Sequence, residues 1–180
     1  MLKHEYFGEI IVDNWNMFFQ KEKLSIPYFE ESIKVNLMEY DEDFEPIEEM
    51  PNEQVLNAYA DTLKKFLADI DNIILDIQEA AFNRYVRVYA KYYEKPFEVI
   101  FENQKIKKDE ANEFHQPLNI DTKEKHFEYM NSILEKIVIS NNQTIVIPLC
   151  YDIDEEHGLE IKIRNNKVVK VGGIGETTYE

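Results

Sequence analysis

Residues 52–93 read NEQVLNAYADTLKKFLADIDNIILDIQEAAFNRYVRVYAKYY, with neither Gly nor Pro along the way. Val55, Tyr59, Leu63, Phe66, Leu67, Ile70, Ile73, Ile74, Ile77, Ala81, Tyr85, Val88 and Tyr92 recur three and four apart, the spacing that lines one face of an α-helix. Asn52, just after Pro51, suits an N-cap. One straight helix of this length would run roughly 60 Å, whereas a compact chain of this size has a radius of gyration of about 16 Å. The stretch is therefore expected to break around Asp69-Ile-Asp-Asn72 into two packed helices. Phe82, Tyr85, Tyr89, Tyr92 and Tyr93 end the second helix. Their helical spacing makes them a core stripe rather than a base-stacking platform.

On the amino-terminal side the period changes from helix to strand. Tyr6, Gly8, Ile10 and Val12 alternate with polar neighbours, apart from Phe7 and Ile11; Ile33, Val35 and Leu37 do so more cleanly. Residues 1–40 thus read as strands. Pro27, in Ile26-Pro-Tyr-Phe29, argues for an edge strand or loop there. Residues 41–49 carry six carboxylates in nine positions, a solvated acidic connector.

On the carboxy-terminal side, Phe97–Phe101 reads as a short strand or one more helical turn, and Lys105–Lys108 as part of a loop. Asp121-Thr-Lys-Glu124 resembles a capping box with Glu124 at the third helical position. It opens a short helix over 121–134 with Phe127, Met130 and Leu134 on one face. Four β-runs follow over 136–171: Ile137–Ile139, Thr144–Tyr151, Leu159–Ile163 and Val168–Val171. The pairs Asn141-Asn142 and Asn165-Asn166 suit tight hairpins, since Asn tolerates left-handed backbone angles. The expected fold class is α+β: an antiparallel sheet of N-terminal strands plus a C-terminal four-strand meander, packed on a long helical pair and one short helix. Its length suits a single domain over 1–180. The glycine-rich end from Gly172 reads as a flexible turn and tail.

Twenty Lys and Arg face 36 Asp and Glu, a net charge of −16. Such a surface repels nucleic acid and anionic lipid, and the excess charge serves either solubility or the attraction of a basic partner. No apolar run approaches the length of a membrane span, and the start lacks the pattern of a signal peptide, so the expected compartment is the cytoplasm. Cys150 is the single cysteine, which rules out an internal disulfide. Its apolar run, Ile145–Tyr151, points to a buried, inert thiol.

The densest polar constellation is Asp152-Ile-Asp-Glu-Glu-His-Gly158, expected to be an ordered turn between two strands. Asp152, Asp154 and Glu156 begin like a calcium loop, but glycine comes one place late and Ile163 stands where a bidentate Glu is needed. Asp152, Asp154, Glu156 and His157 remain the alternative metal set, serving a metal-dependent hydrolase. His4, His115 and His126 lack ligand-like spacing, and the sequence contains no nucleophile elbow, phosphate loop, dinucleotide fingerprint or His-Glu-x-x-His. No catalytic residue or cofactor is therefore expected. Trp15, the only tryptophan, is either core or an interface anchor.

Two carboxy-terminal segments, Tyr151-Asp-Ile-Asp-Glu-Glu-His-Gly-Leu159 and Asn165-Asn-Lys-Val-Val-Lys-Val-Gly172, resemble the ending of a bacterial family of uncharacterised domains. Its members carry Trp-Asp-x-Glu-His-Gly-hydrophobic and then Asn-Gly-Lys-Val-Val-x-Val-Gly. Here Tyr151 replaces the Trp, an extra Asp-Ile intervenes, and Asn166 stands where Gly is usual. The amino-terminal half is similar too, with a Trp near the first strand and a Pro-Asn-Glu-Gln start to the long helix. The resemblance implies an immunity or accessory protein of a bacterial competition system, with neither enzyme activity nor cofactor, and puts weight on Glu155, Glu156, His157 and Gly158.

The expected function is protein binding, with a basic protein as partner and Asp41, Glu42, Asp43, Glu45, Asp154, Glu155, Glu156, His157 and Trp15 as contacts. The hydrolase, and a structural or oligomeric subunit, are the alternatives. The chain is expected to be a monomer or homodimer that binds neither nucleic acid nor membrane.

Overall fold

A computed structural model of the chain describes residues 2–14, 16–38, 47, 49–90, 98–101, 104–107, 118–141, 143–151 and 154–177, with the backbone alone at 98–101, 104–107 and 154–156. Four short strands come first: β1 (Leu2–His4), β2 (Gly8–Val12), β3 (Phe18–Gln20) and β4 (Lys34–Leu37). Helices α1 (Glu53–Ala68) and α2 (Ile70–Tyr85) follow, then a π-helical turn, Val86–Ala90. β5 (Glu98–Phe101) and β6 (Gln104–Lys107) form a separate hairpin. Helix α3 (Lys123–Ile133) leads into β7 (Lys136–Ser140), β8 (Thr144–Tyr151), β9 (Asp154–Arg164) and β10 (Lys167–Gly172).

The eight strands other than β5 and β6 make one sheet, ordered β1-β2-β3-β4-β7-β8-β9-β10. The α+β class and the C-terminal meander are as the sequence led us to expect. One join differs. β4 and β7 run parallel, Val35 opposite Ile137 and Leu37 opposite Ile139. Every other neighbouring pair in the sheet is antiparallel. The reason is topological: the helices intervene between β4 and β7, and a long crossover permits parallel pairing where a tight turn cannot.

Strand periodicity divides the sheet's faces. Ile145, Ile147, Leu149 and Tyr151 of β8 and Leu159, Ile161 and Ile163 of β9 are buried in the core, as are Ile137 and Ile139 of β7. The helices supply Leu56, Leu63, Phe66, Ile73, Ile77, Ala81 and Tyr85 to the same core. Each Leu, Ile or Phe among them contributes about 1.5–3 kcal/mol by leaving water. Cys150, between Leu149 and Tyr151, faces the other way and is exposed. Its expected burial is thus overturned: in a strand, an apolar run does not decide which face a given residue takes. Pro148 sits within β8 without disrupting the ladder. β7 pairs with β8 only over Thr144–Val146, so at Pro148 β9 is the sole neighbouring strand, an edge-like position that tolerates the missing N–H.

The caps explain the helix boundaries. Asn52 Oδ1 accepts from the Val55 N–H at 3.0 Å. Asp69 ends α1, its N–H donating to the Lys65 and Phe66 carbonyls, and α2 begins at the next residue. The break thus falls within the expected Asp69–Asn72. Thr122, not Asp121, caps α3, accepting from Lys125 N–H. Glu124 consequently stands at the second helical position rather than the third, and Asp121 pairs with Lys125 instead.

Three further expectations change. Residues 105–107, expected in a loop, lie in strand β6, and Lys108 lies outside the described residues. Lys105 and Lys107 alternate with Gln104 and Ile106 across the hairpin, so a strand period was present in a segment too polar to show it. Asp154–Gly158, expected as a turn, opens strand β9, with Asp154 opposite Tyr151; a ladder can absorb a polar run along a strand end. The glycine-rich end is a folded strap through Thr177, whose side chain is fully buried. The Ile174 N–H donates to the His157 carbonyl at 2.5 Å, carrying the β9 pairing past β10.

Candidate functional site

Trp15, Asp41, Glu42, Asp43, Glu45 and Asp152 lie outside the described residues, and at Asp154, Glu155 and Glu156 the backbone alone is described. His157 is exposed. Gly158 has a positive φ of 46°, as foreseen, although it lies in a strand. Among the described residues no group of three or more His, Cys, Asp or Glu is placed to hold a metal ion, and no helix is long and apolar enough to cross a membrane.

What the fold assembles is a polar surface between α2 and α3. These helices run antiparallel. Near the start of α2, Asp71 accepts from the Tyr28 hydroxyl at 2.6 Å. Near the end of α3, Asn131 Nδ2 donates to the Tyr28 carbonyl at 3.2 Å. At the opposite ends, Lys123 Nζ lies 3.7 Å from a Glu79 oxygen. The outward row of α2 is Asp71, Leu75 and Glu79, with Asp76 beside it, all exposed. Glu124 and Glu128 are exposed on α3. Both α3 lysines are engaged by carboxylates, Lys123 by Glu79 and Lys125 by Asp121 at 2.6 Å.

The loop that delivers Tyr28 is closed by an antiparallel bridge between Leu24 and Ile33. Ile26 and Phe29 are buried and hold it down, Phe29 packing 5.7 Å from the Phe127 ring. The Phe29 N–H donates to the Ile26 carbonyl at 3.2 Å, closing a turn with Pro27 second and Tyr28 third. Tyr28 has φ 74°. Pro followed by a left-handed residue is the type II pattern, whose third position calls for Gly or Asn. A tyrosine there is strained, and its ring is half exposed, at 50%. Its hydroxyl proton is held more tightly than usual because it is donated to Asp71. Nothing in the local sequence signals this: Pro27 marks a turn, but the turn's type is invisible until the chain is folded.

Behind this surface lies a buried cluster of rings. His126 Nε2 is 2.8 Å from the Tyr151 hydroxyl, and His126 and Tyr151 are both fully buried. Tyr85, Tyr89 and Tyr129 surround Tyr151 at centroid distances of 6.1, 4.9 and 5.6 Å. The Tyr89 hydroxyl donates to the Gly158 carbonyl at 2.7 Å. Burial lowers the His126 pKa to about 4 and pushes that of Tyr151 well up, so both are neutral near pH 7. Of the ring stripe, Tyr85 and Tyr89 are core and Phe82 packs against it, as the spacing implied, while Tyr92 and Tyr93 lie outside the described residues. His126, which spacing alone made unremarkable, is its polar centre.

The strap covers the end of the meander. Glu160, buried, accepts from the backbone N–H groups of Gly175 and Thr177, each at 3.2 Å, and from the Thr177 hydroxyl. Lys162, also buried, donates to the Thr177 carbonyl at 2.8 Å. A shallow recess of about 190 Å3 lies elsewhere, lined by Thr62, Lys65, Gln143, Asn165 and Asn166. There Asn166 Nδ2 donates to the Lys65 carbonyl at 3.0 Å and so closes the end of α1, a structural task.

A family model described as Domain of unknown function (DUF6985) matches residues 6–177. The chain belongs to this family, which fits the resemblance to an uncharacterised domain at that coarse level. No curated protein and no solved structure matches the chain.

Proposed function

We propose that the protein is an acidic binding module that recognises a basic protein, in the manner of an immunity-like inhibitor that occludes its partner. The solvent face of α2 carries this reading. Asp71, Asp76 and Glu79 are exposed around Leu75, and Arg84, the one basic residue of α2, is turned towards Glu176 of the strap, 3.6 Å away. An exposed face with net negative charge steers cationic partners and speeds their association. The test is affinity capture from cells that carry the gene, followed by binding of the purified partner at low and high salt. The partner is expected to be rich in Lys and Arg, with affinity falling as salt screens the charges. A partner without basic character, or an affinity indifferent to salt, would overturn the reading.

A further inference from the structure

Tyr28 breaks a local rule. Gly or Asn in its place would take φ 74° without strain, so the turn itself gives no reason for a bulky ring there. The ring is also not buried in return. Instead the surrounding structure holds it outward: the Leu24–Ile33 bridge and the buried Ile26 and Phe29 below it, Asp71 at its hydroxyl, Asn131 at its carbonyl. Leu75, 59% exposed, lies one helical turn beyond Asp71 on α2. Two large apolar groups thus flank Asp71, Tyr28 through its hydroxyl and Leu75 one helical turn along α2. The Asn131 amide adds a buried Oδ1 beside the Tyr28 carbonyl that accepts from no group among the described residues, an unanswered acceptor. The frame carries net negative charge: Glu30 and Glu31 after the turn, Asp71, Asp76 and Glu79 on α2, Glu124 and Glu128 on α3, all exposed, outnumber Lys123 and Lys125, which are already engaged by Glu79 and Asp121.

We infer that Tyr28 and Leu75 are the anchors of a docking surface whose occupant is an amphipathic protein helix pairing an apolar stripe with Lys or Arg. This rests on the basic-partner reading and names its surface. The flank of two antiparallel helices takes a third helix through anchors at i and i+4, aromatic residues are favoured anchors, and only a cationic occupant balances the frame. Nucleic acid and anionic lipid are repelled by the same carboxylates.

The test uses the full chain and a fluorescein-labelled peptide of about 18 residues, Leu at helical spacing and Lys elsewhere, read by anisotropy; a second peptide carries Glu in place of Lys. Tyr28→Gly is the informative variant, because relief of the strained turn offsets the lost hydroxyl bond to Asp71: its unfolding midpoint is expected to stay about level while binding weakens about tenfold. Leu75→Ser is expected to weaken binding similarly, whereas Val12→Ser, which removes another exposed apolar residue, on β2, leaves it within about twofold. If the Lys peptide binds but Tyr28→Gly and Leu75→Ser match the unaltered chain, the surface is wrong and the basic-partner reading stands. If the Lys peptide does not bind, or binds no better than the Glu peptide, the basic-partner reading fails and this inference with it.

Discussion

His126 Nε2 lies 2.8 Å from the Tyr151 hydroxyl, and neither side chain reaches solvent. Burial lowers the His126 pKa to about 4, against an ordinary 6.5. The folded protein therefore holds a neutral imidazole at pH values where the unfolded chain already binds a proton. The full stability is present above about pH 6.5 and drains away as pH falls towards 4, by about 3 kcal/mol in all. Urea midpoints measured between pH 7 and 4.5 are expected to fall steeply. His126→Phe lowers stability at pH 7, because the Tyr151 hydroxyl loses its partner, but flattens the slope between pH 6.5 and 5. An unchanged slope in that variant would show that other groups govern acid sensitivity.

Gly158 and Gly8 both have positive φ, 46° and 67°, yet their surroundings differ. A Cβ at Gly158 would lie 2.3 Å from the Leu149 carbonyl oxygen and 2.9 Å from Ile174 Cδ1, whereas at Gly8 nothing lies within 4 Å. Gly8→Ala is expected to cost only the backbone strain, about 1–2 kcal/mol. Gly158→Ala adds displacement of a backbone carbonyl and of the strap, for about 3 kcal/mol or more. Chemical denaturation of the pair checks the ordering, and equal losses would refute the packing argument.

The strap gives a third expectation. The buried Glu160 carboxylate accepts from two backbone N–H groups and from the Thr177 hydroxyl. Thr177→Val keeps the shape and removes one donor to a buried charge, at a cost of about 1–3 kcal/mol. Glu176, 60% exposed at its side chain and 3.6 Å from Arg84, is a different case: Glu176→Gln is expected to cost under about 1 kcal/mol. Thermal midpoints would separate the two, with a larger effect at Glu176 contradicting the assignment.

Cys150 is exposed on the sheet face opposite Tyr151. The folded protein is therefore expected to react with a thiol reagent such as Ellman's at the rate of an accessible cysteine, without denaturant. A reaction that waits for unfolding would return Cys150 to the interior.

How much of this was legible depends on the range of the signal. The Asn52 cap, the break at Asp69 and the Asn165-Asn166 turn, with φ 51° and 58°, depend on neighbours a few residues away, and all were readable. The separation of Leu149 and Tyr151 from Cys150 was readable in principle, because strand alternation demands it, but the continuous apolar run hid it. Thr122 displaced Asp121 as the cap because both are good caps and only the backbone path chose between them. The candidate surface was almost wholly illegible. Tyr28, Asp71 and Asn131 lie 43 and 103 positions apart along the chain, and no local pattern links them.

By itself the sequence determined the elements: two helices from one uninterrupted 3.6-residue period, a meander from alternating strands, and an acidic surface from the excess of carboxylates. Those follow from backbone geometry and composition, which act over short range. The tertiary structure alone decided the parallel join of β4 to β7, the burial of His126 against Tyr151, the closing of the strap over Glu160, and the meeting of Tyr28 with α2 and α3. Each of these arises when distant segments share one core, because burial and hydrogen-bond satisfaction are properties of the folded whole.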